Sequence, residues 1–93
     1  MEGKQLAKIA IEKESQLSNE ALAIRQANQV DGLEVNEDGD IKTFEGEKVE
    51  VIARLVNKYM EMMGDVAANL IAEEMKNNDV EPPELPDELV QRY

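Results

Sequence analysis

The sequence has no cysteine, no histidine and no tryptophan, and its aromatic residues are two tyrosines and one phenylalanine in 93 positions. Without thiols there is no disulfide framework, no thiolate nucleophile and no zinc site of the Cys/His type, and without imidazole the commonest general base is missing. Long apolar runs are absent too. None approaches the ~18 residues that a bilayer-spanning helix requires, and the stretch from Met1 to Leu6 has no apolar signal-peptide core. These absences predict a non-catalytic cytoplasmic protein with no cofactor and no membrane contact.

Positive charge is scarce. Ten Lys and Arg stand against 21 Asp and Glu, for a net charge of −11. The excess is concentrated: residues 31–47 hold seven acids against Lys42 alone, and residues 77–93 hold five against Arg92, while residues 1–30 are neutral. Affinity for nucleic acid rests largely on Lys and Arg neutralising phosphates, so direct nucleic-acid binding is not expected. Acidity of this kind keeps a small helical protein dispersed, or it faces a basic partner.

What the sequence does have is helical periodicity. From Lys4 to about Val30 there is no Pro or Gly, and Leu6, Ile9, Ala10, Leu17, Ala21, Ile24 and Ala27 recur at steps of three and four. Lys8 and Glu12 are placed to pair along that helix. The spacing predicts one long helix. Ser18 and Asn19, ahead of Glu20, are cap residues that offer a break instead. Asp31-Gly32 is the predicted stop.

Leu33-Glu34-Val35 and Asp40-Ile41-Lys42-Thr43-Phe44 then flank Asn36-Glu37-Asp38-Gly39. Asn opening and Gly closing such a turn predict a β-hairpin. The same stretch imitates a twelve-residue calcium loop, with Asn36, Asp38 and Asp40 at positions 3, 5 and 7, Gly39 at 6 and Glu45 at 12. Glu34 stands at position 1 where Asp is the rule, and Gly46 stands where an exiting helix should begin. The hairpin is therefore preferred, with Asn36, Asp38, Asp40 and Glu45 as weak metal candidates.

From Glu47 to about Asn77 the sequence predicts a second long helix. Val49, Ile52, Val56, Tyr59, Met63, Val66 and Leu70 alternate in steps of three and four, the seam of a coiled coil or bundle. Gly64 interrupts this helix at a cost of roughly 1 kcal/mol, so a kink or close crossing is expected there. Pro82, Pro83 and Pro86 then oppose regular structure, while Leu85, Leu89, Val90 and Tyr93 suit a segment that docks on its own domain or on another chain.

The expected fold is mainly α, two long helices joined by a short β-hairpin (α-β-β-α) over residues 1–78, with an acidic Pro-containing tail over 79–93. A 30-residue helix is roughly 45 Å long and would overhang a compact monomer, so a homodimer closing a helical bundle is expected. The function expected is a protein–protein interaction module, an adaptor or regulatory subunit, binding through the seam residues and through Leu85, Leu89 and Tyr93. The alternatives are an acidic decoy that occupies a basic, nucleic-acid-binding surface of a protein partner, and a single-loop calcium-binding module.

Overall fold

Both long helical stretches break, and the two breaks set the architecture. The computed structural model describes residues 1–93 and contains α1 (Gly3–Leu17), α2 (Glu20–Ala27), β1 (Leu33–Val35), β2 (Ile41–Phe44), α3 (Lys48–Met63), α4 (Asp65–Asn77) and α5 (Asp87–Val90), with a 3-10 turn at Pro82–Glu84. The chain is mainly helical with one two-stranded antiparallel hairpin, and no helix is long and apolar enough to cross a membrane.

The first break corrects the expectation of a single N-terminal helix. Ser18 leaves helical geometry (φ −118°, ψ −97°), and its hydroxyl donates to the Glu14 carbonyl at 3.0 Å. Asn19 then opens α2, its Oδ1 accepting from the Leu22 amide at 2.8 Å. A side-chain cap satisfies an amide that would otherwise lack a partner, so ending one helix and starting another costs little here. The helix also stops at Ala27, before Asp31-Gly32.

The second break is at Gly64, with φ 69° and ψ −156°. That combination is open in practice only to glycine. It folds α4 back against α3. It also shifts which side chains face inward: Ala67, Ala68, Ile71, Ala72 and Met75 are buried, whereas Val66 is 51% exposed. There is consequently no 45 Å helix. The molecule measures 30 × 25 × 20 Å with a radius of gyration of 11.5 Å, and the overhang from which a homodimer was expected does not exist.

Helix α1 lies at the centre and packs on α2, α3, α4 and β2. Ala7, Ala10, Ala23, Ala27, Ala67, Ala68 and Ala72 are all buried, and small side chains let helix backbones approach closely. Tyr59 fills the middle and is wholly buried, its phenol donating to the Ala23 carbonyl at 2.8 Å. A buried phenol needs such an acceptor.

The hairpin forms as its turn residues predict. Leu33 pairs with Phe44, Glu34 with Thr43 and Val35 with Ile41, which leaves Lys42 as an extra residue in β2. Gly39, at φ 91°, closes the turn with its amide donating to the Asn36 carbonyl at 2.9 Å. Asn28 fixes the hairpin to α2, giving and receiving hydrogen bonds with the Val35 backbone at 3.1 and 2.7 Å. At the base, a Cβ on Gly32 would lie 2.2 Å from the Glu45 carbonyl oxygen, so only glycine fits.

The C-terminal segment packs on its own chain. Val80, Leu85 and Leu89 are buried in the same core, with Val90 and Tyr93 against it. The Tyr93 phenol donates to the Val80 carbonyl at 2.9 Å, and Asn57 donates to Glu88 at 2.8 Å. Arg92 reaches Asn69 at 2.8 Å and Asp65 at 3.2 Å. The prolines do not prevent order: Pro82 and Pro83 enter a 3-10 turn, where a missing amide is harmless, and Pro86 precedes α5.

Candidate functional site

The seam residues are divided by the Gly64 break. Ile52, Val56 and Tyr59 have no exposed surface and are part of the core. Val49, Met63 and Leu70 are half-buried, and Val66 is the most exposed large apolar side chain. Leu85 and Leu89 are buried and Tyr93 is partly buried. Of the ten residues expected to meet a partner, only Val49, Met63, Val66, Leu70 and Tyr93 retain appreciable surface.

The four metal candidates do not converge. Asp38 Oδ1 accepts from the Asp40 amide at 3.0 Å, and Asp40 Oδ1 takes the Lys8 ammonium at 2.8 Å. Glu45 lies past the end of β2. No three acidic side chains approach one point, and strands flank the turn where a calcium loop has helices. Lys8 is also not paired with Glu12 as helical spacing predicts. Its bond to Asp40 raises the ammonium pKa and ties the hairpin turn to α1.

Two surface features remain. The first is an acidic face along the hairpin and its connections. Asp31, Glu34, Glu37, Asp38, Asp40, Glu45 and Glu47 are all exposed, and only Asp40 among them has a cationic partner. A groove of about 310 Å³ between the hairpin turn and α1 continues this face, with Glu12, Glu20 and Asp38 on its walls beside Lys8. The second feature is a partly apolar end of the molecule where the two breaks meet. Tyr59, in the last turns of α3, bonds to Ala23 in α2, which puts the Ser18 and Gly64 corners at the same end.

One further residue, Glu14, went unnoticed in the apolar pattern of α1. Its side chain is wholly buried and neither carboxylate oxygen has a hydrogen-bond partner. Burial pushes its pKa up to about 7, because a carboxylate without water or donors is costly to charge. Its proximity also raises the pKa of Tyr59, whose own burial is the larger cause. The sequence does carry a signal. Glu14 falls four residues after Ala10 and three before Leu17, where the helical stripe calls for an apolar residue.

No protein-family model matches this chain, and neither do any curated protein or solved structure.

Proposed function

We propose that this chain is a non-catalytic acidic binding module that engages a basic surface on a protein partner, including surfaces of the kind that bind nucleic acid. The observation supporting this is the distribution of charge. Seventeen of its 21 acidic side chains are exposed, while much of the apolar seam that could have served a partner is enclosed in its own core. What is left to present is mostly negative potential, strongest where the hairpin acids lack cations. Such a field speeds encounter with a basic partner and rejects acidic ones. It also opposes self-association, since each copy carries −11.

The test is a fluorescence titration with a peptide rich in lysine and arginine, repeated at two salt concentrations. Binding that weakens about tenfold or more between ~50 and ~300 mM salt is the expected result, because exposed charges are screened over that range. Absence of binding at the lower salt concentration contradicts the proposal.

A further inference from the structure

Glu14 is the only charged side chain that is wholly buried, and neither of its carboxylate oxygens has a hydrogen-bond partner. It stands in the last turn of α1. The Ser18 hydroxyl and amide both donate to its backbone carbonyl where the helix breaks, at 3.0 and 2.9 Å. Its side chain lies close enough to Tyr59 to raise the pKa of the phenol, and that phenol holds α2 through the Ala23 carbonyl at 2.8 Å. The carboxyl is therefore placed where α1, α2 and α3 meet. No counter-charge reaches it. Glu20 and Arg25 of α2, Lys42 of β2, and Asp65, Glu73 and Lys76 of α4 are exposed, and Glu74 of α4 turns to Lys13. On α3, Lys48 pairs with Glu84, Lys58 lines a surface groove with Gln29, and Glu50, Arg54 and Glu61 are exposed.

From this placement we infer that Glu14 is a proton-operated latch: neutral, it keeps α2 closed on α1 and α3, and ionised, it loosens α2 at the Ser18 break. A buried carboxylate without donors has to gain water or force its surroundings apart. The element that yields most readily is α2. It has eight residues, against 15, 16 and 13 in α1, α3 and α4, and a helix of that length does not hold together without packing. Two side-chain links tie it to the rest of the fold, Tyr59 to Ala23 and Asn28 to Val35. Because Glu20 in its first turn lines the groove beside the hairpin turn, loosening α2 also reshapes one wall of the acidic face. The folded pKa of about 7 lies above the ordinary 4.5. Closure is therefore most favoured below about pH 4.5, and the preference is lost as pH rises to about 7.

The experiment is native-state hydrogen exchange on the full chain at about pH 5 and about pH 8, corrected for the intrinsic pH dependence of amide exchange. Protection of residues 23–27 in α2 should fall about tenfold or more between the two, and clearly less at residues 51–56 in α3. Glu14→Gln, and Glu14→Met as an apolar variant of similar length, should each hold α2 protection within about threefold over the same interval. Tyr59→Phe should lower α2 protection already at the lower pH, by removing the bond to Ala23. Unchanged α2 protection in the wild-type chain would overturn the latch. So would an equal loss in α2 and α3, which marks unfolding of the whole chain rather than release of one helix. A loss that persists in both Glu14 variants would assign the titration to other groups and overturn it as well.

Discussion

The hairpin segment and the C-terminal segment are alike in composition and opposite in what they do with it. Each is short, acidic and carries a few apolar residues, and together they hold almost all of the net negative charge. In the C-terminal segment, Glu84 meets Lys48 and the Met1 amine, Glu88 meets Asn57, and Arg92 reaches back to Asp65. Those cations hold the Glu84 carboxyl below its ordinary pKa. In the hairpin segment the strands bury Leu33 and Val35, and most of the acids face water unpaired. Net charge alone therefore does not distinguish a structural segment from a presenting one. What separates them is that two of the five C-terminal acids, Glu84 and Glu88, bond through their side chains to other elements, against Asp40 alone of the seven hairpin acids. Asp79, Glu81 and Asp87 face water unpaired.

The largest effect should come from removing the C-terminal segment. Truncation after Asp79 exposes the sites of Val80, Leu85 and Leu89, each worth about 1.5–3 kcal/mol of burial. A domain of this size has only about 5–15 kcal/mol in total. The truncated chain should lose its cooperative thermal transition in circular dichroism. A single Leu89→Ala should cost about 2–5 kcal/mol by urea unfolding. An unchanged melting temperature after truncation would place this segment with the hairpin as a presented surface.

Glu14 is a third environment for an acid, buried and unpaired. With its folded pKa at about 7 against an ordinary 4.5, the folded state holds its proton more tightly than the unfolded chain does. Its contribution is therefore most favourable below about pH 4.5, declines from there to about pH 7, and is flat above. The whole span amounts to at most about 3 kcal/mol. Glu84 acts with the opposite sign, losing its contribution as pH falls. Urea midpoints at pH 5 and pH 8 should show Glu14→Gln flattening the decline. A wild-type midpoint that rises between those two pH values would show that other groups dominate.

A smaller change is expected from Gly39→Ala at the hairpin tip. The tip is open, with nothing within 4 Å of an added Cβ, but φ is 91°. Backbone strain alone should cost about 1 kcal/mol, read as a lowered urea midpoint.

The element types were legible in the sequence because they depend on local spacing. Asn36 to Gly39 marked the turn, and steps of three and four marked the helices. The breaks were harder to place because they are decided by competition. Asn19 is a good cap, but an uninterrupted helix through it also satisfies the apolar pattern, and only packing of α2 on α3 resolves the choice. At Gly64 the seam continues on paper through Met63, Val66 and Leu70, although the fold rotates α4 to bury Ala67, Ala68 and Ile71. Ala67 and Ala68 are small enough to suit a close crossing beside Gly64, but alanine carries little weight in a hydrophobic pattern, so the spacing alone does not mark them as the inward face. The exposure of Val66 follows from that rotation and from nothing local.

The central claim is that the hairpin acids present, whereas Glu84 and Glu88 of the C-terminal segment help to hold the fold. It is tested most directly by neutralising each set in turn and repeating the basic-peptide titration alongside a thermal melt. Glu34→Gln, Glu37→Gln and Asp38→Asn together should shift stability by no more than about 0.5 kcal/mol per site and weaken binding about tenfold or more. Glu84→Gln with Glu88→Gln should lower the melting temperature and leave affinity within about twofold of wild type. If the hairpin triple variant binds as tightly as wild type while the C-terminal double variant does not, the assignment of the two segments is reversed.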